Sequence, residues 1–114
     1  MELNYERIGE LQVITPQQER IDAAVAIKFK DEMRKLTADG PETVILDLES
    51  VSFIDSSGLG AIVGAMKQLG AGQTLQLAGL SPNVEKVFRL TRMDRVFRIY
   101  MSRDEALGSV AAAT

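Results

Sequence analysis

The chain has 114 residues, of which 46% are apolar and 25% are charged, and it contains neither cysteine nor histidine. That length suits one domain with a single core, so we expect one domain over residues 1–114. The absence of cysteine excludes disulfides and thiolate chemistry, and the absence of histidine removes the commonest general base and metal ligand. We therefore expect no enzymatic activity, no metal site and no cofactor.

Charge and hydropathy predict the location of the protein and the kind of partner that it binds. The formal net charge is −3, but acids outnumber bases 12 to 6 up to Asp55, whereas bases outnumber acids 7 to 4 after it. This asymmetry favours a dipolar surface that orients a charged partner. No run of about eighteen apolar residues is present, and the first residues lack the basic and apolar regions of a signal peptide. We expect a cytoplasmic protein that does not insert into a membrane.

The first half of the chain predicts two strands, a helix and a third strand. The strands at residues 3–8 and 11–15 flank Gly9-Glu10 and are predicted to form a hairpin. The helix is predicted to begin at Asp22 as N-cap and to end before Gly40-Pro41. Its apolar stripe, with residues three or four apart, consists of Val25, Phe29, Met33 and Leu36. A strand buried on both faces follows at residues 43–48, where Asp47 and Glu49 are expected to be solvated.

The second half predicts further strands and helices in alternation. A helix follows residue 55, and its expected apolar face consists of Leu59, Ile62, Val63, Met66 and Leu69. A strand at residues 74–78 leads to a helix that opens with Ser81-Pro82. The expected buried side of that helix consists of Val84, Val87, Phe88 and Leu90. A strand at residues 96–100 precedes a terminal helix through Leu107 and Val110, opened by the capping pattern Ser102-x-x-Glu105.

This order of elements predicts the fold class. Strands alternate with helices after the opening hairpin, which is typical of an α/β domain. We predict a mixed, largely parallel sheet of four to five strands with about four helices.

Residues 55–60, with the sequence Asp-Ser-Ser-Gly-Leu-Gly, carry the most specific information about function. They join a strand to a helix, where backbone N–H groups are free and the helix dipole is positive, which suits an anion such as a phosphoryl group. Ser56 is either a phosphorylation site or only a helix cap worth about 1 kcal/mol. Asp55 is expected to cap the helix, and the alternatives are that it orients the Ser56 hydroxyl or interacts with the cation of a kinase. Ser57 is expected to bond a free N–H of the first turn.

Residues 44–69 closely resemble the central motif of the STAS domain family, and within it the bacterial anti-sigma factor antagonists. The shared pattern is a hydrophobic strand, then Asp-Ser-Ser/Thr-Gly-Leu-Gly, then an apolar helix. A weaker similarity continues through residues 76–84 and the pattern Phe88-x-x-Thr91-x-Met93-x-x-Val96-Phe97. The resemblance implies that Ser56 is the phosphoacceptor, with Ser57 as runner-up. The partner-binding residues that it implies are Asp22, Asp55, Ser56, Ser57, Gly58, Leu59 and Gly60.

The resemblance also implies a function. The chain is expected to be an anti-sigma factor antagonist, a protein-binding switch that in its unphosphorylated form sequesters an anti-sigma factor and so regulates transcription by partner switching. That anti-sigma factor is expected to be a serine kinase of the histidine-kinase-like ATPase fold, and a PP2C-type phosphatase is expected to restore the binding form. The alternative is a non-phosphorylated STAS subunit or scaffold of a larger complex, such as a lipid-transport ABC system.

Other functional classes fit the sequence less well. A nucleophile elbow needs Gly-x-Ser-x-Gly, but Ile54 and Asp55 precede Ser56, and no histidine is available to take the proton. The glycines at residues 58, 60 and 64 do not have the spacing of a dinucleotide fingerprint. Arginines at residues 89, 92, 95, 98 and 103 form a loose basic cluster, but the isoelectric point is about 4.9 and no nucleic-acid-binding motif accompanies them. We expect either solvated arginines or the positive side of a protein interface.

Overall fold

The fold was analysed in a computed structural model that describes the backbone of residues 1–113 and the side chains of residues 1–109. The strands are β1 (Leu3–Ile8), β2 (Leu11–Pro16), β3 (Arg20–Ile21), β4 (Thr43–Asp47), β5 (Phe53–Ile54), β6 (Thr74–Ala78) and β7 (Ile99–Tyr100). The helices are α1 (Ala26–Thr37), α2 (Ser56–Lys67), α3 (Pro82–Leu90) and α4 (Arg103–Ala113), with a 3-10 turn at Met93–Arg95. The predicted terminal helix through Leu107 and Val110 is confirmed as α4, whereas the last residue of the expected domain lies outside the described residues.

The main sheet has five strands in the order β1-β2-β4-β6-β7. The predicted hairpin is confirmed, because β1 and β2 pair antiparallel with Ile8 opposite Leu11. All other neighbours in this sheet are parallel. The prediction of a mixed, largely parallel sheet with about four helices is therefore confirmed.

A second, two-stranded sheet was not expected from the sequence. β3 and β5 pair in parallel, with Arg20 beside Phe53 and Ile21 beside Ile54. Each of these strands has only two residues, which is too short for a periodicity of two to be read. The pair matters for function because β5 leads directly into the turn at residues 55–60.

Helices cover both faces of the main sheet. One face packs against α1, α2 and α3 through a core that includes Phe29, Ile62 and Phe88. The other face forms a smaller core with Ala106 of α4. β4 contributes to both, because Val44 and Leu46 point to the larger core and Ile45 to the smaller one. The expectation of a central strand buried on both faces is confirmed.

The prediction that Asp22 caps α1 is wrong. The helix begins at Ala26 with Val25 at the N-cap position, and no side chain caps it. Asp22 instead accepts a hydrogen bond from the Ala24 N–H at 3.1 Å, within the turn that precedes the helix. Residues 23–25 form a turn instead of helix: the Val25 N–H donates to the Asp22 carbonyl oxygen at 3.1 Å, and the Ala23 N–H donates to the Asp55 carboxylate.

Several details of burial and length also differ from expectation. α2 buries its small residues most deeply, namely Gly58, Ala61 and Ala65 together with Ile62. The larger residues predicted for its apolar face are only partly buried around them, namely Leu59, Val63, Met66 and Leu69. Leu90, in the last turn of α3, is 71% exposed rather than buried. The last strand is shorter than predicted because the N–H groups of Val96 and Phe97 donate to the Met93 carbonyl oxygen and so continue the turn at residues 93–95. Asp47 is only 3% exposed rather than solvated.

Arg92 has a backbone conformation that L residues rarely adopt, and it provides a test of the fold at the end of α3. Its φ of 62° and ψ of 20° lie in the left-handed region, where a Cβ costs about 1 kcal/mol. We predict that Arg92→Gly raises the free energy of unfolding, measured by urea denaturation, by up to about 1 kcal/mol. Arg95→Gly, in the adjacent 3-10 turn and outside the left-handed region, should lower it. Equal destabilisation by both changes would contradict the prediction.

Candidate functional site

Asp55 caps α2, as expected from the sequence. Its backbone is extended, with φ −104° and ψ −175°, so the chain turns into the helix immediately after it. One carboxylate oxygen, Oδ1, accepts a hydrogen bond from the Gly58 N–H at 2.8 Å. This bond satisfies one of the backbone donors that a helix start leaves free. The alternative in which Ser56 is merely the cap is wrong, because the N-cap position belongs to Asp55.

The second carboxylate oxygen of Asp55 joins the turn to the approach to α1. Oδ2 accepts a hydrogen bond from the Ala23 N–H at 3.2 Å. Ala23 directly follows Asp22, whose own carboxylate lies 3.3 Å from the Arg20 side-chain Nε. The structure therefore brings Asp22 to the edge of the turn, as the predicted binding set requires, although not as a helix cap.

Hydrogen bonding also fixes the charge of Asp55. The bond from the Gly58 N–H is the largest influence and lowers the pKa of the Asp55 carboxyl below its ordinary value of 3.8; partial desolvation opposes it, and the bond from the Ala23 N–H adds to the lowering. The group is ionised at neutral pH. Ser56 thus follows a fixed negative charge.

Gly58 is required by a close approach between α2 and β3. A Cβ on this residue would lie 1.9 Å from the Ile21 carbonyl oxygen and 3.0 Å from the Cγ1 atom of Ile54. The first turn of α2 therefore rests directly on the backbone of the small sheet. Gly58 is itself buried, so among the predicted partner-binding residues its role is to position the turn.

The opposite side of the same turn faces solvent. Ser56, Ser57 and Gly60 are exposed, and Leu59 is half-buried. A Cβ added at Gly60 would meet no atom within 4 Å. Across residues 1–109, the side-chain hydrogen bonds include none to the hydroxyl of Ser56 or Ser57. The expected capping by Ser57 is therefore not found, because Asp55 supplies the acceptor.

Two exposed apolar residues lie outside the predicted binding set. Ile27, in the first turn of α1, is 76% exposed. Phe53, in β5, lies under the Arg20 guanidinium, whose carbon is 4.0 Å from the ring centroid. The position of Ile27 outside the apolar stripe predicted for α1 was a sequence signal of its exposure. Phe53 adds apolar surface in the strand that leads directly into the turn.

In residues 1–109, no three Asp, Glu, His or Cys side chains come together as metal ligands would. None of the helices in the described part of the chain has the length and hydropathy needed to cross a lipid bilayer.

Comparison with known proteins places this geometry in a family. The model of the STAS domain matches residues 2–106. The anti-sigma-B factor antagonist of Listeria monocytogenes is 35% identical over 92 residues, which are 80% of this chain and 81% of that protein.

Two solved structures extend the comparison to the fold. An anti-sigma factor antagonist from Mycobacterium paratuberculosis superposes with a TM-score of 0.85 at 24% identity, covering 96% of this chain and 93% of the other. The phosphorylated form of SpoIIAA, a Bacillus cell fate determinant, superposes with a TM-score of 0.70 at 25% identity, covering 96% and 99%. The second match is to a protein of the same fold that carries a phosphate.

The two glycines of the turn provide a matched test of its packing. We predict that Gly58→Ala lowers the free energy of unfolding by about 3 kcal/mol or more, because the new Cβ collides with the Ile21 carbonyl. Gly60→Ala should be neutral or stabilising by up to about 1 kcal/mol, because its Cβ enters open space. Urea denaturation of both variants measures the difference. Similar effects of the two changes would contradict the described approach of α2 to β3.

The ionisation of Asp55 provides a second test. We predict that its carboxyl group titrates below 3.8 when followed by carbon-13 NMR, because its carboxylate accepts backbone hydrogen bonds. A lowered folded-state pKa means that this carboxylate stabilises the fold at neutral pH and that the contribution is lost as pH falls through the folded value. The Gly58 amide shift should follow the same transition. Titration at or above the ordinary value would contradict the hydrogen bonding described.

Proposed function

The chain belongs to the STAS domain family, and we propose that it is an anti-sigma factor antagonist whose binding is switched by phosphorylation of Ser56. The observation that carries this proposal is the exposed Ser56 hydroxyl, which directly follows the capping residue and makes no hydrogen bond within residues 1–109. The name of the Listeria relative and the phosphorylated state of SpoIIAA support it. A hydroxyl with no structural bond is free to accept a phosphoryl group.

Phosphorylation would change the surface far more than the fold. A phosphate adds about −1.5 to −2 charges at neutral pH. Asp55 already holds the Gly58 N–H, so a phosphate on Ser56 does not displace the helix cap. The new charge would instead stand beside the ionised Asp55 on the exposed side of the turn. A partner that fits the unphosphorylated turn would then have to remove water from two neighbouring anions or be repelled by them, and either effect weakens binding.

In this proposal the unphosphorylated turn is the binding surface for an anti-sigma factor. Ser56, Ser57 and Gly60 face outward, half-buried Leu59 lies between them, and Asp22 borders the turn beside Ala23. The open space over Gly60 lets a partner backbone or side chain approach α2 closely. Sequestering the anti-sigma factor at this surface would free a sigma factor.

The modifying enzymes are also part of the proposal. The anti-sigma factor would be a serine kinase of the histidine-kinase-like ATPase fold, bringing its own ATP and magnesium. The Ser56 oxygen would attack the γ-phosphorus as the bond to ADP breaks, and the hydroxyl proton would pass to the kinase. A PP2C-type phosphatase would return the hydroxyl by hydrolysis. The present chain, a single domain acting in the cytoplasm, would be substrate and adaptor without catalysing either step.

The proposal predicts a large change in affinity from a single charge. Ser56→Asp should weaken binding to the cognate anti-sigma factor about a hundredfold, which corresponds to about 2.7 kcal/mol, because the carboxylate adds an anion beside Asp55. Ser56→Ala should keep the affinity but accept no phosphate. Isothermal titration calorimetry measures the first two effects, and incubation with kinase and ATP measures the last.

Ser57→Asp is the matched control, because it adds the same charge at the next exposed position of the turn. It should weaken binding less than Ser56→Asp. Undiminished affinity of the Ser56→Asp variant for the anti-sigma factor would count against the switch. Phosphorylation of the Ser56→Ala variant at Ser57 would identify Ser57 as a phosphoacceptor.

A further inference from the structure

A second exposed surface is formed by residues 89–98, which we call the basic segment. It covers the end of α3, the 3-10 turn and the approach to β7, and it contains four arginines spaced by three. All its residues are exposed except half-buried Met93 and buried Phe97. Arg89 pairs with Glu85 at 3.6 Å. The ion pairs within the described side chains include none from Arg92, Arg95 or Arg98.

Arg92 and Arg95 flank one short turn. The 3-10 turn covers Met93–Arg95, and Arg92 immediately precedes it as its N-cap residue, in the left-handed conformation that glycine would adopt without strain. Asp94 is the one acid among residues 89–98, against four arginines, so the segment carries a formal net charge of +3. Its own acid therefore offsets only part of its positive potential.

Apolar side chains accompany the arginines. Leu90 is 71% exposed and Val96 is 48% exposed. Beside the segment, a cleft of about 350 Å³ lies between α3 and β7, and its apolar wall includes Phe88, Ile99 and Met101. Arg89 lines the same cleft and thus connects it to the basic segment. Arginine and exposed aliphatic side chains in one place are typical of interfaces rather than of simply solvated surface.

We propose that the basic segment and this cleft form a second docking surface, which takes an acidic amphipathic segment of a protein partner. Carboxylates of that segment would pair with Arg92 and Arg95, and an apolar side chain would enter the cleft. Charge complementarity selects the acidic partner. A protein segment fits better than an anionic membrane, because it can place an uncharged apolar side chain against Glu85 and Asp94, which line the cleft, and its carboxylates at the arginines. A uniformly anionic layer of lipid headgroups would be repelled by those two acids.

This surface does not depend on the switch. It shares no residue with the turn at residues 55–60 or with Asp22, and it belongs to the half of the chain in which bases outnumber acids. Ser56→Asp should therefore leave it unchanged. A chain bound at the turn could hold a second partner at the basic segment.

The test is an NMR titration of nitrogen-15-labelled full-length protein with a synthetic helical peptide of glutamate and leucine. We expect amide shifts at residues 89–98 and around the cleft, and affinity that falls about tenfold or more when salt rises from about 0.05 M to about 0.5 M. The double variant Arg92→Glu, Arg95→Glu should bind about tenfold more weakly or worse. The matched control Arg7→Glu, Lys28→Glu changes two exposed bases elsewhere and should bind as the native protein does.

Five outcomes would overturn the proposal. The first is equal binding of a peptide with lysine in place of glutamate. The second is a set of shifted amides outside the basic segment and cleft. The third is equal weakening of binding in the control variant. The fourth is binding to phosphatidylserine vesicles without binding to the peptide, which would identify a membrane. The fifth is concentration-dependent broadening at residues 89–98 without peptide, which would identify a second copy of the chain. Far-UV circular dichroism checks the fold of each variant.

Discussion

The approach of Gly58 to the Ile21 carbonyl is the contact on which the site depends. It seats the first turn of α2 on the small β3-β5 sheet, at a distance that no residue with a Cβ allows. Asp55 then caps this turn with one carboxylate oxygen, which accepts from the Gly58 N–H. Its other carboxylate oxygen accepts from the Ala23 N–H in the loop before α1. Together these contacts fix which side of the turn is buried. Ser56, Ser57 and Gly60 are left on the exposed side.

This division separates folding from signalling. The residues that hold the turn are Gly58 and Asp55, whereas the proposed phosphoacceptor contributes no hydrogen bond to the fold among residues 1–109. A phosphate on Ser56 would therefore alter the charge of a preformed surface without removing a structural contact. The exposed glycine at residue 60 serves the same division, because it leaves open space on the surface proposed to bind the partner.

The sequence predicted the parts of the structure that depend on local patterns. The hairpin around Gly9, the buried strand β4 and the start of α3 at Pro82 each follow from turn chemistry or hydrophobic periodicity. The sequence did not predict the β3-β5 pair, because each strand has only two residues and the alternating pattern of a strand cannot be read from two residues. The start of α1 at Ala26 was also missed, because the turn at residues 23–25 depends on a bond from the Ala23 N–H to Asp55, which is distant in the chain.

Within the site, the motif at residues 55–60 was evident from the sequence, but the sequence predicted the roles of only some of its residues. Capping by Asp55 was expected, whereas the burial of Gly58 against Ile21 depends on a contact 37 residues apart in the chain. Site-resolved mass spectrometry of the protein purified from its native cells, with and without phosphatase treatment, tests the central claim most directly. The account predicts a phosphate on Ser56 that the phosphatase removes. Absence of that phosphate across growth and stress conditions would contradict it.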